Sequence, residues 1–365
     1  MKDIILLGAG ASVDADIPAA YKMTEELIKL FGENSKYSHI IRFAVGGLLM
    51  QKGVRGENPF EGVNIEDVFN AIELLANREN LEAAPFIGSW HRLVEELDLI
   101  RPFGPYDQSH SARLQSRSIR STKRRPHYLS TEPLPSEGKN YEDANAAMIS
   151  SLKKMVWLEN PQKTEHLWPM LQIKTQDILT IATLNYDNTI ELAAKHLTKE
   201  IQIGIEEWSS SGFFPKAKSG FYFLKLHGSI DWMYQPSTQP LFHQTIRRLP
   251  FDLMNKSFNY RPAVIFGHRN KLTAKGPFLD MLRAFEEQLN EADRLTIIGY
   301  SFRDEHINEQ IRKWMAGSSS RTIRIINGKH FASNDIQFAR SLLSIKDRVD
   351  NLNVGAKEGI AKCFA

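Results

Sequence analysis

The chain has 365 residues, with 46 Lys and Arg against 43 Asp and Glu, for a net charge of +3. At roughly 150 residues per domain this length allows about two domains, or one domain carrying a large insertion. The single cysteine, Cys363, excludes a disulfide framework, a Cys-based zinc knuckle and a Cys-ligated iron–sulfur cluster. It also fits a reducing, cytoplasmic setting. No apolar run approaches the roughly 18–20 residues that cross a bilayer, so no membrane role is expected. The near-zero charge argues neither for nor against nucleic acid.

Ile4 to Leu7 is a short apolar run, expected to be a strand buried on both faces rather than part of a signal peptide. A turn, Gly8-Ala9-Gly10-Ala11-Ser12, follows. The pattern then predicts a helix over Ile17–Phe31, with Pro18 in its first turn. Residues 36 to 100 read as helical, with Val68, Ile72 and Leu75 at helical spacing and a second stretch over Phe86–Leu99. Between 101 and 140 Pro, Ser and Arg dominate. Arg113, Arg117, Arg120, Lys123, Arg124 and Arg125 crowd this span. It reads as a solvated loop or as a docking surface for nucleic acid or an acidic partner, and no aromatic residue lies between Arg113 and Arg125 to stack on bases. Helices are predicted again over 141–158 and 163–172.

From there strands and helices alternate. Strand runs occur at Ile178–Leu184, Phe221–Leu226, Ala263–Phe266, Leu295–Ile298 and Ile323–Ile326. Helical patterns occupy Asn188–Leu197, Phe278–Leu289, Asp304–Met315 and Phe331–Leu343. Such alternation implies right-handed crossovers and a parallel sheet. The expected fold class is therefore α/β, a Rossmann-like doubly wound sheet built from 1–30 and 171–330. A mostly helical insertion would occupy 31–170, with its basic loop at 101–130, and a C-terminal helical tail would occupy 331–365.

Each strand run is followed by small or polar residues: Gly8 to Ser12, Asn185-Tyr186-Asp187, His227-Gly228-Ser229, Gly299-Tyr300-Ser301 and Asn327-Gly328. In an open parallel sheet all carboxyl ends share one edge, and ligands bind there at the point where strand order reverses. Gly10, Ser12, Asn185, His227, Ser301 and Asn327 are expected to converge there. Simpler readings stay open. Gly8 and Gly10 would serve a tight turn, and Asp187 and Asp304 would cap the helices that follow them. His306 would be structural. His227, between an apolar strand and a glycine, is either an acid–base group or a satisfied structural histidine. No histidine sits in a metal-binding pattern.

Taken in order, GAGAS (8–12), Ile17-Pro18, TLNYD (183–187), LHGS (226–229), PAVIFG (262–267), GYS (299–301) and IIN (325–327) resemble the sirtuin (Sir2-like) family. The resemblance covers 1–30 and 177–330. It implies NAD as ligand, with Gly8, Ala9, Gly10 and Ser12 beside the diphosphate. Asn185 and Asp187 would lie near the nicotinamide ribose, with His227 as a base on the ribose hydroxyls. Gly299 and Ser301 would hold the adenosine half, and Asn327 its ribose. The departures matter as much. Ser229 to Arg261 contains no cysteine, where the family's deacylases carry a zinc module, so no metal is expected. Ala19-Ala20 replace an acidic and aromatic pair, Leu184 replaces a Gln, and His268 stands where an acidic residue is usual.

The pattern most resembles zinc-free, NAD-hydrolysing sirtuin-like proteins of bacterial anti-phage systems. That implies cleavage of NAD to nicotinamide and ADP-ribose, with Asn185, His227 and Asp187 as the catalytic set. It also implies gating, through a homo-oligomer or a separate activating subunit such as a HerA-type ATPase or an Argonaute-like protein. The chain itself holds no G-x-x-x-x-G-K-[ST] ATPase loop. The alternatives are a protein deacylase or ADP-ribosyltransferase using the same pocket, and a non-catalytic sensor of NAD or ADP-ribose.

Overall fold

The structure is a computed structural model. It describes residues 2–32, 35–84, 90–98, 138–173, 178–216, 220–236, 244–250, 253, 262–265, 276–328 and 337–364. The basic loop at 101–130, the start of the stretch at Phe86, the Phe266-Gly267-His268 motif and the start of the run at Phe331 lie outside the described residues.

Among the described residues ten strands form two sheets. They are β1 (Asp3–Leu7), β2 (Leu179–Thr183), β3 (Ile201–Gln202), β4 (Phe221–Lys225), β5 (Gly228–Pro236), β6 (Gln244–Arg248), β7 (Pro262–Val264), β8 (Arg294–Ile298), β9 (Thr322–Ile326) and β10 (Val349–Leu352). Seven of them make the expected parallel sheet, in the order β10-β9-β8-β1-β2-β4-β3. The central strands are apolar along their length because both faces are covered. Ile4 to Leu7, Leu179 to Thr183 and Leu295 to Ile298 are all buried. From β1 the chain builds outward through β2 to β4 and β3, then returns to lay down β8, β9 and β10 on the opposite side. The order thus reverses between β1 and β8.

The register puts the strand ends in one row. Leu7 pairs with Thr183 on one side and Ile298 on the other, Thr183 pairs with Lys225, and Ile298 pairs with Ile326. The ladder continues one residue past the strands. Gly8 N–H donates to Ile298 O (2.9 Å), Leu184 N–H to Leu7 O (2.9 Å), Leu226 N–H to Thr183 O (2.9 Å) and Gly299 N–H to Ile326 O (2.9 Å). The polar residues after each strand therefore leave the sheet along one continuous rim.

Between β1 and β2 the chain forms α1 (Ala20–Phe31), α2 (Lys36–Val54), α3 (Ile65–Ala76), α4 (Arg92–Asp98), α5 (Lys139–Val156) and the short α6 (Trp168–Gln172). The first five pack a core of their own around Ile40, Ile41, Val68, Phe69, Ile72, Tyr141, Ala144 and Met148. A buried polar clasp joins the ends of the 99–137 span. Asp98 Oδ2 accepts from Arg78 Nη2 (2.8 Å) and from Gly138 N–H (2.7 Å), while Asn140 Nδ2 donates to Leu97 O and Asp98 O. After β2 come α7 (Thr189–His196), α8 (Ile205–Ser211), α9 (Pro277–Asn290), α10 (Glu305–Gly317), α11 (Gln337–Leu343) and α12 (Ala356–Phe364). None of the helices among the described residues is long and apolar enough to cross a membrane.

Four features differ from the sequence reading. The first helix begins at Ala20, not Ile17, because Asp16 adopts left-handed φ (64°) and turns the chain ahead of Pro18. The strand at 262–264 does not join the parallel sheet. It pairs antiparallel with β5, which also pairs with β6, making a separate three-stranded sheet. The 331–365 tail is not only helical, since β10 within it is the edge strand beside β9. The short β3 likewise adds the opposite edge.

Candidate functional site

An open cleft of ≈ 830 Å³, measured out to its mouth, lies over the carboxyl ends of the central strands. Gly8, Ala9, Ser12, Asn185, Asp187, His227 and Ser301 all line it. Ligand crevices of α/β sheets form at this reversal of strand order. Three other expected residues do not line it. Gly10 and Gly299 face each other at the side: Gly10 N–H donates to Gly299 O (2.9 Å), and a Cβ on Gly10 would lie 2.7 Å from Gly299 Cα. Gly299 sits at φ 65°, where a Cβ would meet Ala11 N at 2.2 Å. These two glycines let the loops after β1 and β8 touch. Asn327, buried, donates from Nδ2 to Tyr300 O (2.7 Å) and so holds the Gly-Tyr-Ser turn.

Behind Asn185 the rim is tightly bonded. Its Nδ2 donates to Gly8 O (3.0 Å) and Ser12 Oγ (3.0 Å), and its N–H to Thr183 Oγ1 (3.1 Å). Ser12 Oγ donates onward to Asp187 Oδ2 (2.7 Å). The other oxygen, Asp187 Oδ1, receives the Thr189 N–H (3.0 Å) and hydroxyl (2.7 Å) at the start of α7. Asp187 therefore serves the helix start and the Ser12–Asn185 pair together. Under it, the fully buried Lys225 donates to Asp187 O (2.5 Å) and Glu191 Oε1 (2.7 Å). Burial pushes the Glu191 carboxyl above its ordinary range, against the pull of Lys225. Asn188 clamps both backbone groups of Leu158, at 2.8 and 2.9 Å, tying the rim to the chain leaving α5.

His227 is 6% exposed, and its Nε2 lies 2.8 Å from Asp304 Oδ2. Tyr186 packs beside the imidazole, ring centroids 6.3 Å apart. Its hydroxyl lies 2.6 Å from Glu66 Oε1 and 3.0 Å from Ile265 O. Burial, then the Glu66 charge, raise the Tyr186 phenol well above the usual tyrosine range. The helical block completes the opposite wall with Met23, Asn64, Ile65, Glu66 and Val156.

At the mouth, Ser301 and Arg303 line the cleft on either side of Phe302. Phe302 is fully buried at φ 57°, a strained conformation for an aromatic residue. That flip sends the ring into the core and leaves its two neighbours at the cleft. Arg303 stacks on Tyr21 (5.2 Å to the ring centroid) and donates to its hydroxyl. It is the only Lys or Arg lining the cleft among the described residues.

Sequence reasoning did not pair Asp304 with His227, and it did not place Glu66, Tyr186 or Arg303 in the cleft. The strand-end rule, extended a few residues past Gly299, reaches Arg303 and Asp304. Glu66 has no such signal, because it lies on a helix of the insertion. Among the described residues no group of three or more His, Cys, Asp or Glu is placed to hold a metal ion.

Residues 179–340 match the SIR2-like domain. The match takes in β2 through β9 and the start of α11, and leaves out β1 and the helical block. No curated protein matches the sequence. Solved structures that align include Sir2Tm bound to a propionylated peptide, at 12% identity over 99% of this chain and 91% of that one, with a TM-score of 0.35. Another is a Sir2 variant with a deacetylated peptide and 3′-O-acetyl ADP-ribose, at 11% identity over the same 99% and 91%, with a TM-score of 0.36.

Proposed function

We propose that the chain hydrolyses the nicotinamide–ribose bond of NAD, releasing nicotinamide and ADP-ribose. The observation that carries this reading is that Asn185 and His227, from different strand ends, line one cleft where the strand order reverses. The SIR2-like domain match spans both residues.

The nicotinamide ring is already cationic, so it departs without protonation and takes the electrons of the broken C–N bond. The barrier lies in forming an oxocarbenium-like ribose and presenting water to its open face. Asn185, half-buried and held by Gly8 O and Ser12 Oγ, orients the ribose or the water. His227 takes the proton that the water loses as it bonds to the ribose carbon. Asp187, both oxygens engaged by protein groups, acts by holding Ser12 and Asn185. Gly8, Ala9, Ser12 and Ser301 line the diphosphate and adenosine side, where Arg303 meets the phosphate charge. Gly10, Gly299 and Asn327 support those loops from behind.

In the cell this activity requires gating. The reading extends to an anti-phage effector acting in the cytoplasm, as a homo-oligomer or under a HerA-type ATPase. Only the sequence resemblance supports that extension. The test is incubation of the purified protein with NAD, alone and with a HerA-type ATPase, followed by chromatography. Nicotinamide and ADP-ribose are expected in equal amounts, and the His227→Ala variant is expected to release both about 10²–10⁴-fold more slowly. Absence of both products under both conditions, or full release by that variant, overturns the reading.

A further inference from the structure

We infer that Asp304 is a positioning residue for His227, holding the imidazole in the tautomer whose Nδ1 is the basic nitrogen. Its catalytic consequence rests on the function proposed above, but the tautomer itself does not.

The pairing begins with donor and acceptor chemistry. Asp304 Oδ2 lies 2.8 Å from His227 Nε2. A carboxylate only accepts, so Nε2 carries the hydrogen, and in a neutral ring Nδ1 is left with the lone pair. Among the described residues Nδ1 has no hydrogen-bond partner. The two residues are 6% and 5% exposed, so water competes little for the bond.

Asp304 cannot turn away from the ring. Its other oxygen, Oδ1, receives the N–H groups of His306 (3.1 Å) and Ile307 (3.4 Å) at the start of α10. Its own N–H donates to the Tyr300 hydroxyl (3.1 Å), which donates to Asn308 Oδ1 (2.9 Å). Asn308 Nδ2 in turn donates to Phe302 O (2.7 Å). One carboxylate thus caps a helix with one oxygen and orients the histidine with the other. The bond also crosses the crevice, because His227 follows β4 and Asp304 follows β8 on the far side of β1 and β2.

The other polar groups near the ring are already committed. Tyr186 lies beside the imidazole with its hydroxyl turned to Glu66 and Ile265 O, and Lys225 on β4 is directed to Glu191 and Asp187 O. Asp304 is therefore the group that decides which ring nitrogen keeps the proton.

The test uses full-length protein with 15N-labelled histidine rings at neutral pH, the His227 signals being assigned by their loss in a His227→Gln variant. The expected result is an unprotonated Nδ1 and a protonated Nε2. A proton on Nδ1, or on both nitrogens, overturns the inference. Asp304→Asn keeps Oδ1 for the helix cap but offers an N–H to the ring, so the proton is expected to move to Nδ1. Nicotinamide release should then fall about 10²–10⁴-fold, the usual share of a general base, with KM for NAD unchanged. An unaltered tautomer or rate in that variant also overturns it. If wild-type protein releases no nicotinamide, the function falls while the NMR result still decides the tautomer. If the variant fails to fold, the wild-type spectrum decides alone.

Discussion

Across the cleft, the sheet rim and the helical block face each other with different chemistry. On the rim, Ser12, Asn185, Asp187, His227 and Asp304 form linked hydrogen bonds anchored in helix starts and backbone carbonyls. The block offers mostly apolar surface, Met23, Ile65 and Val156, with Asn64 turned to its own helix, where Oδ1 accepts the Glu66 N–H (2.9 Å). Among the described residues polar ties join the sides: the Tyr186 hydroxyl with Glu66, Asn188 with Leu158, and Arg303 with the Tyr21 hydroxyl. The rim thus holds polar side chains already fixed by hydrogen bonds, whereas the block supplies the mostly apolar opposite wall. Fixed polar groups around a reacting centre need no rearrangement during reaction, so the reaction proposed above would draw its acting groups from the rim.

Variants at each wall test this division. The largest effect is expected at the rim. Asn185→Ala and His227→Ala should each lower nicotinamide release about 10²–10⁴-fold, with thermal unfolding close to wild type. If Ile65→Ala abolished turnover while Asn185→Ala spared it, the roles of the two walls would be reversed. Next is the block's own buried ion pair. Asp98→Ala takes the buried carboxylate away from Arg78 and from the Gly138 N–H and should cost about 3 kcal/mol in urea unfolding; a loss under 1 kcal/mol would show that the clasp does not hold the block. The Gly10–Gly299 contact follows. Gly299→Ala places a Cβ against Ala11 N at positive φ and should cost about 3 kcal/mol, measured the same way. Smallest is the tie between the walls. Tyr186→Phe deletes the hydroxyl bonded to Glu66 and should cost about 1 kcal/mol, with the nicotinamide release rate within about twofold of wild type. A large loss of turnover there would make the tie part of the chemistry.

Much of the rim was legible because strand geometry is local. A four- or five-residue apolar run ends where a small polar residue begins, so Gly8, Asn185, His227 and Ser301 announced themselves at strand ends. Asp304 was legible only in part. Its position before α10 marks a helix cap, which it is, but its second oxygen meets a histidine 77 residues earlier in the chain. The antiparallel sheet was missed because β5 begins at Gly228, inside the residues read as the polar end of the preceding strand. The edge strand β10 was missed because Val349 to Leu352 is short and partly exposed, without the continuous apolar run of a central strand.

Periodicity and turn chemistry act over a few residues. They were enough to specify the parallel sheet and the polar strand ends. Which ends meet depends on strand order and register, and those are set by packing between segments distant in the chain. That is why Asn185 reaching Ser12, Glu66 facing the cleft from an inserted helix, and Asp304 gripping His227 were decided only when the chain closed on itself.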